Sequence, residues 1–153
     1  MAITLKQRAY AGLWFTAAGV APWMYRLRDF LPPVPESDFL EFVIWFILVP
    51  ALIAGLLGAL LGAAILDPHK VKSIWNAAFR GFIIAVLSFL LSAVLISAQE
   101  AYTHEYESFV GILFMMLLVG GMVIGWMAVI VGTFAGLMLH QLRTSRPFKT
   151  NLP

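Results

Sequence analysis

Apolar residues fall into four long blocks along this chain, residues 9–25, 39–66, 81–98 and 109–140, separated by short stretches where charge and proline collect. Within each block the apolar character shows neither the alternation of a half-buried strand nor the turn spacing of a barrel. Unpaired backbone amides are so costly in lipid that each block is expected to be helical. About 20 helical residues, rising about 1.5 Å each, cross a hydrocarbon core of roughly 30 Å. The second and third blocks suit that length, and the fourth, with 32 residues, exceeds it.

The first block has 17 residues between Arg8 and Arg26, with Pro22 near its end. Two other readings compete for it. A cleaved signal peptide would use the small residues Ala17 to Ala21, but Trp14 interrupts the run and Pro22 would follow the cleavage position. An interfacial helix that never crosses is favoured by the shortness of the block and by Arg26 and Arg28. With the first block taken as a crossing, the expected fold is all-α. It is an integral membrane bundle of four transmembrane helices, one domain over residues 1–153, with a short amphipathic interfacial helix before the third.

That interfacial segment is residues 68–80. Asp67-Pro68 looks like an N-cap followed by proline at the first helical position, and Val71, Ile74, Trp75, Ala78 and Phe79 recur at the spacing of one helical face. Lys70, Lys72, Ser73 and Asn76 take the other face. The simplest role is an elbow between two crossings, since two lysines are too few for specific lipid recognition.

Composition sharpens the class. The chain is 61% hydrophobic and 12% charged, with a mean hydropathy of +0.90, against roughly 25% charged in soluble domains. The absence of cysteine removes disulfides, thiolate metal sites and cysteine nucleophiles. Lys6 and Arg8, then Lys70, Lys72 and Arg80, then Arg143, Arg146 and Lys149 flank the blocks on alternate sides. The positive-inside rule puts both termini in the cytoplasm. Compact loops suggest a bacterial inner membrane.

Small residues mark packing faces. Gly55, Gly58 and Gly62 run with Ala51 along the second block, and Gly121, Gly125, Gly132 and Gly136 run with Ala128 along the fourth. Gly81, Ala85, Ser88 and Ser92 line the third, and Ala9, Gly12, Thr16 and Gly19 the first. Lipid tails are as apolar as leucine, so membrane helices associate through close backbone approach, which such stripes permit. Pro50 should kink the second helix. Gly120-Gly121 interrupts the fourth, which would stretch about 48 Å if straight, so a break, a tilt or an end held by another protein is expected. Trp126, far from either end, is expected to be buried against protein.

Apart from Glu41 and His140 at the ends of their blocks, no acidic, basic or histidine side chain lies within the crossings, where proton- and ion-coupled transporters generally keep one. Only Thr16, Ser88, Ser92, Ser97 and Thr133 would line a polar path. Asp38 and Glu41 read as caps on the second helix at the outer face. His69 and His140 sit at the wrong depth for a buried haem or metal pair, and His104 with Glu105 and Glu107 makes a weak ligand signature in a solvated loop. No catalytic motif is visible and no cofactor is implied.

The expected function is that of a non-enzymatic accessory or interaction subunit, embedded in the lipid bilayer, acting by helix packing against a larger membrane complex or a second copy and not on nucleic acid. The alternative is a small oligomeric channel or exporter of a neutral or apolar solute. A lipid-headgroup enzyme, built on His104 with Glu105 or Glu107, has the least support.

Overall fold

The computed structural model describes residues 3–30, 40–67, 69–103 and 108–145, with side chains throughout except at 22–30, 123 and 145. Among the described residues all regular structure is helical. Helix α1 runs Leu5–Phe30. A π-helical turn, Val43–Leu48, leads into α2, Val49–Leu60, and a 3₁₀ turn, Gly62–Leu66, follows. Helix α3 spans Ile74–Thr103. Helix α4, Phe109–Met115, passes through a second π segment, Met116–Gly125, into α5, Trp126–Ser145.

Leu40–Leu60 and Ile74–Thr103 are each long and apolar enough to cross a membrane. Phe109–Met122 and Trp126–Thr144 make a third crossing if taken together, bent by 62°. The chain is therefore a membrane protein by the length and character of its helices. Its outward faces agree: Leu48, Leu52, Leu56 and Leu60 form an exposed row on α2, and Trp126, Ile130, Phe134 and Met138 form another on α5. Trp126 thus contradicts the sequence expectation. It is 51% exposed and opens α5 at the break instead of lying within a straight span.

Two antiparallel helix pairs make up the interior. Along α1 and α2, a Cβ at Gly12 would stand 3.1 Å from Gly55 O and 3.3 Å from Ala59 Cβ, and one at Gly19 would stand 3.2 Å from Ala54 Cβ. Between them Phe15 lies over Gly58 and Gly62. Along α3 and α5, Gly81 meets Gly132 and Gly136 backbone to backbone, while Ala85 covers Gly132. No described glycine takes a positive φ, so these glycines serve close approach and not backbone freedom. Ala9, placed on the α1 stripe by its spacing, is exposed instead, and Ala11 is the fully buried residue beside Gly12.

The segment before α3 also differs from expectation. Residues 69–73 form a turn and a bend, and helix begins only at Ile74, so among the described residues 69–80 carry no amphipathic helix separate from α3. Asp67 caps a turn and not a helix: its Oδ1 accepts the His69 N–H at 2.9 Å. The helix-starting role falls to Ser73, whose Oγ accepts the Trp75 N–H at 3.2 Å. Val71 is fully buried, whereas Ile74, Trp75 and Phe79 are exposed.

One buried cluster joins the pairs at the end where the described basic stretches meet. Ala11 from α1, Ile65 and Leu66 from the 3₁₀ turn, Val71, Ala77 from α3 and Leu139 from α5 pack there, with Ile3 against them. Trp14 Nε1 donates to Ala135 O at 3.0 Å, tying α1 to α5. Trp14→Phe keeps most of the ring and loses that bond, so unfolding in detergent, followed by circular dichroism, should show a loss of about 1 kcal/mol. A variant as stable as the parent would mean that water replaces the carbonyl's partner at no cost.

Candidate functional site

The two π segments frame the site. Pro50 has no N–H and its ring would clash with the carbonyl four residues back. The chain places it in the first turn of α2, where no donor is needed, and the preceding ladder shifts to the wider spacing, with Val49 N–H reaching Ile44 O. The second π segment contains Gly120, Gly121 and Gly125, which lack side chains to hold a tight helix, and the Phe89 ring lies beside all three. Wide turns of this kind are rare and collect at functional sites.

Between these segments lies a cavity of about 470 Å³, open to the surroundings and not sealed. One wall is Phe15, Ala18 and Gly19 of α1 with Phe46, Pro50 and Ala54 of the second helix. The floor is α3, from Ile84 through Ser88 and Ser92 to Ile96. The opposite wall is Ile112, Met115, Met116 and Val119 with Ile124 and Ala128. Val43–Leu48 packs on α1 and α2, α4 packs on α3 and the π segment that follows it, and the two walls meet where α1 packs on α5. Every wall residue belongs to a stretch without a charged side chain.

The hydroxyl groups within the bundle do not make this space polar. Ser88 Oγ donates to Ile84 O and Ser92 Oγ to Ser88 O, each at 2.7 Å. Thr16 and Thr133 do the same to Gly12 O and Val129 O. Each hydroxyl proton is spent on the carbonyl four residues back. Ser97, fully buried, is the exception: its Oγ has no partner among the described residues.

Of the residues singled out for packing, Gly55, Gly58 and Gly62 lie against α1, and Gly132 and Gly136 against α3. Ser88 and Ser92 face the cavity. Gly121 and Gly125 have only the Phe89 ring within 4 Å from outside their own helix. His140 is buried, with Nδ1 unpartnered among the described residues, while His69 is exposed. Among the described residues no three of His, Asp and Glu gather as metal ligands would. His104, Glu105, Glu107 and Asp38 lie outside the described residues, and Glu41 is exposed at the start of the second helix.

Comparison with known proteins gives no match to a protein family, to a curated sequence or to a solved structure. The geometry of the cavity therefore carries the functional argument for this chain.

The hydropathy pattern does not reveal the cavity or its open side. Its markers in the sequence are the two helix irregularities, of which Pro50 and Gly120 both line it.

Proposed function

We propose that this chain crosses the bilayer of a bacterial inner membrane four times, with both termini cytoplasmic, and receives the hydrocarbon chain of a membrane molecule from the side into its central cavity. It acts as a small binding protein or exporter for an apolar solute. Four crossings are supported by α1, which lies antiparallel along Leu40–Leu60 from Ala11 to Gly19 and so shares the depth of that span. The orientation is supported by basic residues near both described ends and in the 69–80 stretch, which the packing gathers at one end.

The observation that carries the functional reading is the carbon-lined cavity at mid-span. Its volume lies within the roughly 300–1,000 Å³ of small-molecule sites. Water gains little there, because the hydroxyls are already engaged, whereas a hydrocarbon chain meets only carbon. The test is a diazirine-bearing fatty acyl probe in liposomes. It should label α3 or α4 in the parent and lose most of that labelling in Ala128→Phe, which fills the space, with the helical content unchanged. Equal labelling in both would end this reading. An isoprenoid probe run beside it identifies which kind of chain is preferred.

An accessory role in a larger complex is the second reading, and a different feature favours it. No residue of α4 is fully buried, and Phe114, Met115, Leu118 and Met122 stand exposed along it and the π segment. A partner helix would find a seat there. Co-purification in mild detergent separates the two: a stoichiometric partner lost in Phe114→Ala and kept in Ala128→Phe supports the accessory role.

A further inference from the structure

A second recess, of about 300 Å³, opens beside the first turns of α3 and is lined by Leu61, Lys70, Asn76, Phe79, Arg80 and Ile83. It uses a different face of α3 from the central cavity, which takes Ile84. Lys70 and Asn76 are exposed and Arg80 is half-buried. Arg80 Nη1 reaches Leu61 O at 3.4 Å, a long contact that holds the guanidinium against the end of α2 without exhausting its donors. Asp67, the sole acid between the second and third blocks, is turned elsewhere. It is buried, its Oδ1 takes the His69 N–H, and its charge lies within electrostatic reach of Arg143. Two cations and an amide therefore share one recess without that carboxylate. The remaining wall is carbon, and it continues onto the exposed Phe79 and Phe82 rings, whose centroids are 6.3 Å apart. Trp75, 78% exposed one turn before Phe79, is the residue type that settles at the headgroup level.

We propose that this recess binds the phosphate of an anionic phospholipid. Lys70 and Arg80 pair with its oxygens, Asn76 donates to them, and Leu61, Phe79 and Ile83 take the first methylenes of the acyl chains. Arginine suits phosphate through its planar fork and lysine as a point charge, and basic recesses beside membrane helices recognise headgroups in this way. Of the two lysines Lys70 and Lys72, only Lys70 lines the recess, and the fold brings Arg80 beside it. The proposal rests on the membrane placement of α3 and not on what fills the central cavity.

Native mass spectrometry of the purified full chain in detergent tests it, with phosphatidylglycerol and phosphatidylcholine of identical acyl chains as probes. Phosphatidylglycerol should bind more tightly. Lys70→Gln should weaken it about fivefold and the Lys70→Gln, Arg80→Gln double variant roughly 25-fold, at about 1 kcal/mol per cation. Lys72→Gln should change little. Lys70 is exposed, so its variant keeps the test valid even if the Arg80 change disturbs α2. Equal binding of the two lipids, or an equal loss in Lys72→Gln, would overturn the proposal in favour of a diffuse surface field. Displacement of the lipid by inorganic phosphate at matching concentration would overturn it in favour of a free-anion site.

Discussion

Gly81→Val should separate α3 from α5 and abolish the folded bundle. A Cβ at Gly81 would collide with the Gly132 carbonyl oxygen and stand 3.1 Å from Gly136 Cα. The obstacles are backbone atoms on a helix, so no side-chain rotation makes room and the two axes must part. Overpacking in a soluble core costs about 1–3 kcal/mol, and a clash against backbone lies at or beyond the upper end. In lipid the loss is felt fully, because no hydrophobic force presses the helices together once close packing is gone. Size-exclusion profiles in mild detergent should show the variant aggregated or expanded. Gly121→Ala and Gly125→Ala are the controls, since their Cβ atoms would meet nothing closer than the Phe89 ring, at 3.9 and 3.5 Å. A monodisperse Gly81→Val protein with the parent's melting temperature would refute the backbone-contact account of this pair.

The contrast among these glycines shows what sequence pattern conveys. All of them fall at helical spacing and are equal as letters, yet Gly55, Gly58, Gly62, Gly81, Gly132 and Gly136 meet a neighbouring helix closely while Gly121 and Gly125 meet a phenyl ring across looser space. Spacing reveals that a face is small, not what stands opposite. The helical class and the apolar spans were legible because hydropathy over 20 residues is a sum, insensitive to any one position. Pro50 and Gly120-Gly121 were legible as irregularities, but the wide turn each produces depends on how the ladder rearranges around it. The Asp67-Pro68 pair misled because an aspartate that caps a helix and one that closes a turn look alike locally; buried Val71, four residues on, decides between them. The cavity was illegible for a different reason. Its walls are the same alanines, isoleucines and methionines that elsewhere fill space, and a volume exists only between elements far apart in the chain.

Arg143→Leu should be the most damaging change at a charged position, although Arg143 reads in sequence as one of several basic residues after a membrane helix. Its Nη1 donates to Ile65 O at 2.8 Å and Val71 O at 2.9 Å, with Asp67 O at 3.4 Å. These carbonyls come from the 3₁₀ turn and the loop after it, where the regular helical ladder has ended, and the Asp67 carbonyl also takes the Lys70 and Val71 N–H groups. One guanidinium thus fastens the end of α5 to the link between α2 and α3. Leucine there would leave two acceptors to water and Asp67, only 6% exposed, without its neighbouring cation. Breaking a buried charged arrangement from one side costs about 3–5 kcal/mol, and partial access of water at this end brings the expectation to about 2–3 kcal/mol. Arg143→Lys keeps the charge but not the fork, and should fall between the two. Adding Asp67→Asn to Arg143→Leu removes the stranded charge and should recover part of the loss. Thermal unfolding of the four proteins in one detergent measures all of this. If Arg143→Leu melts with the parent, the clamp carries no stability, and the α5 end is held by Leu139 and its apolar neighbours alone.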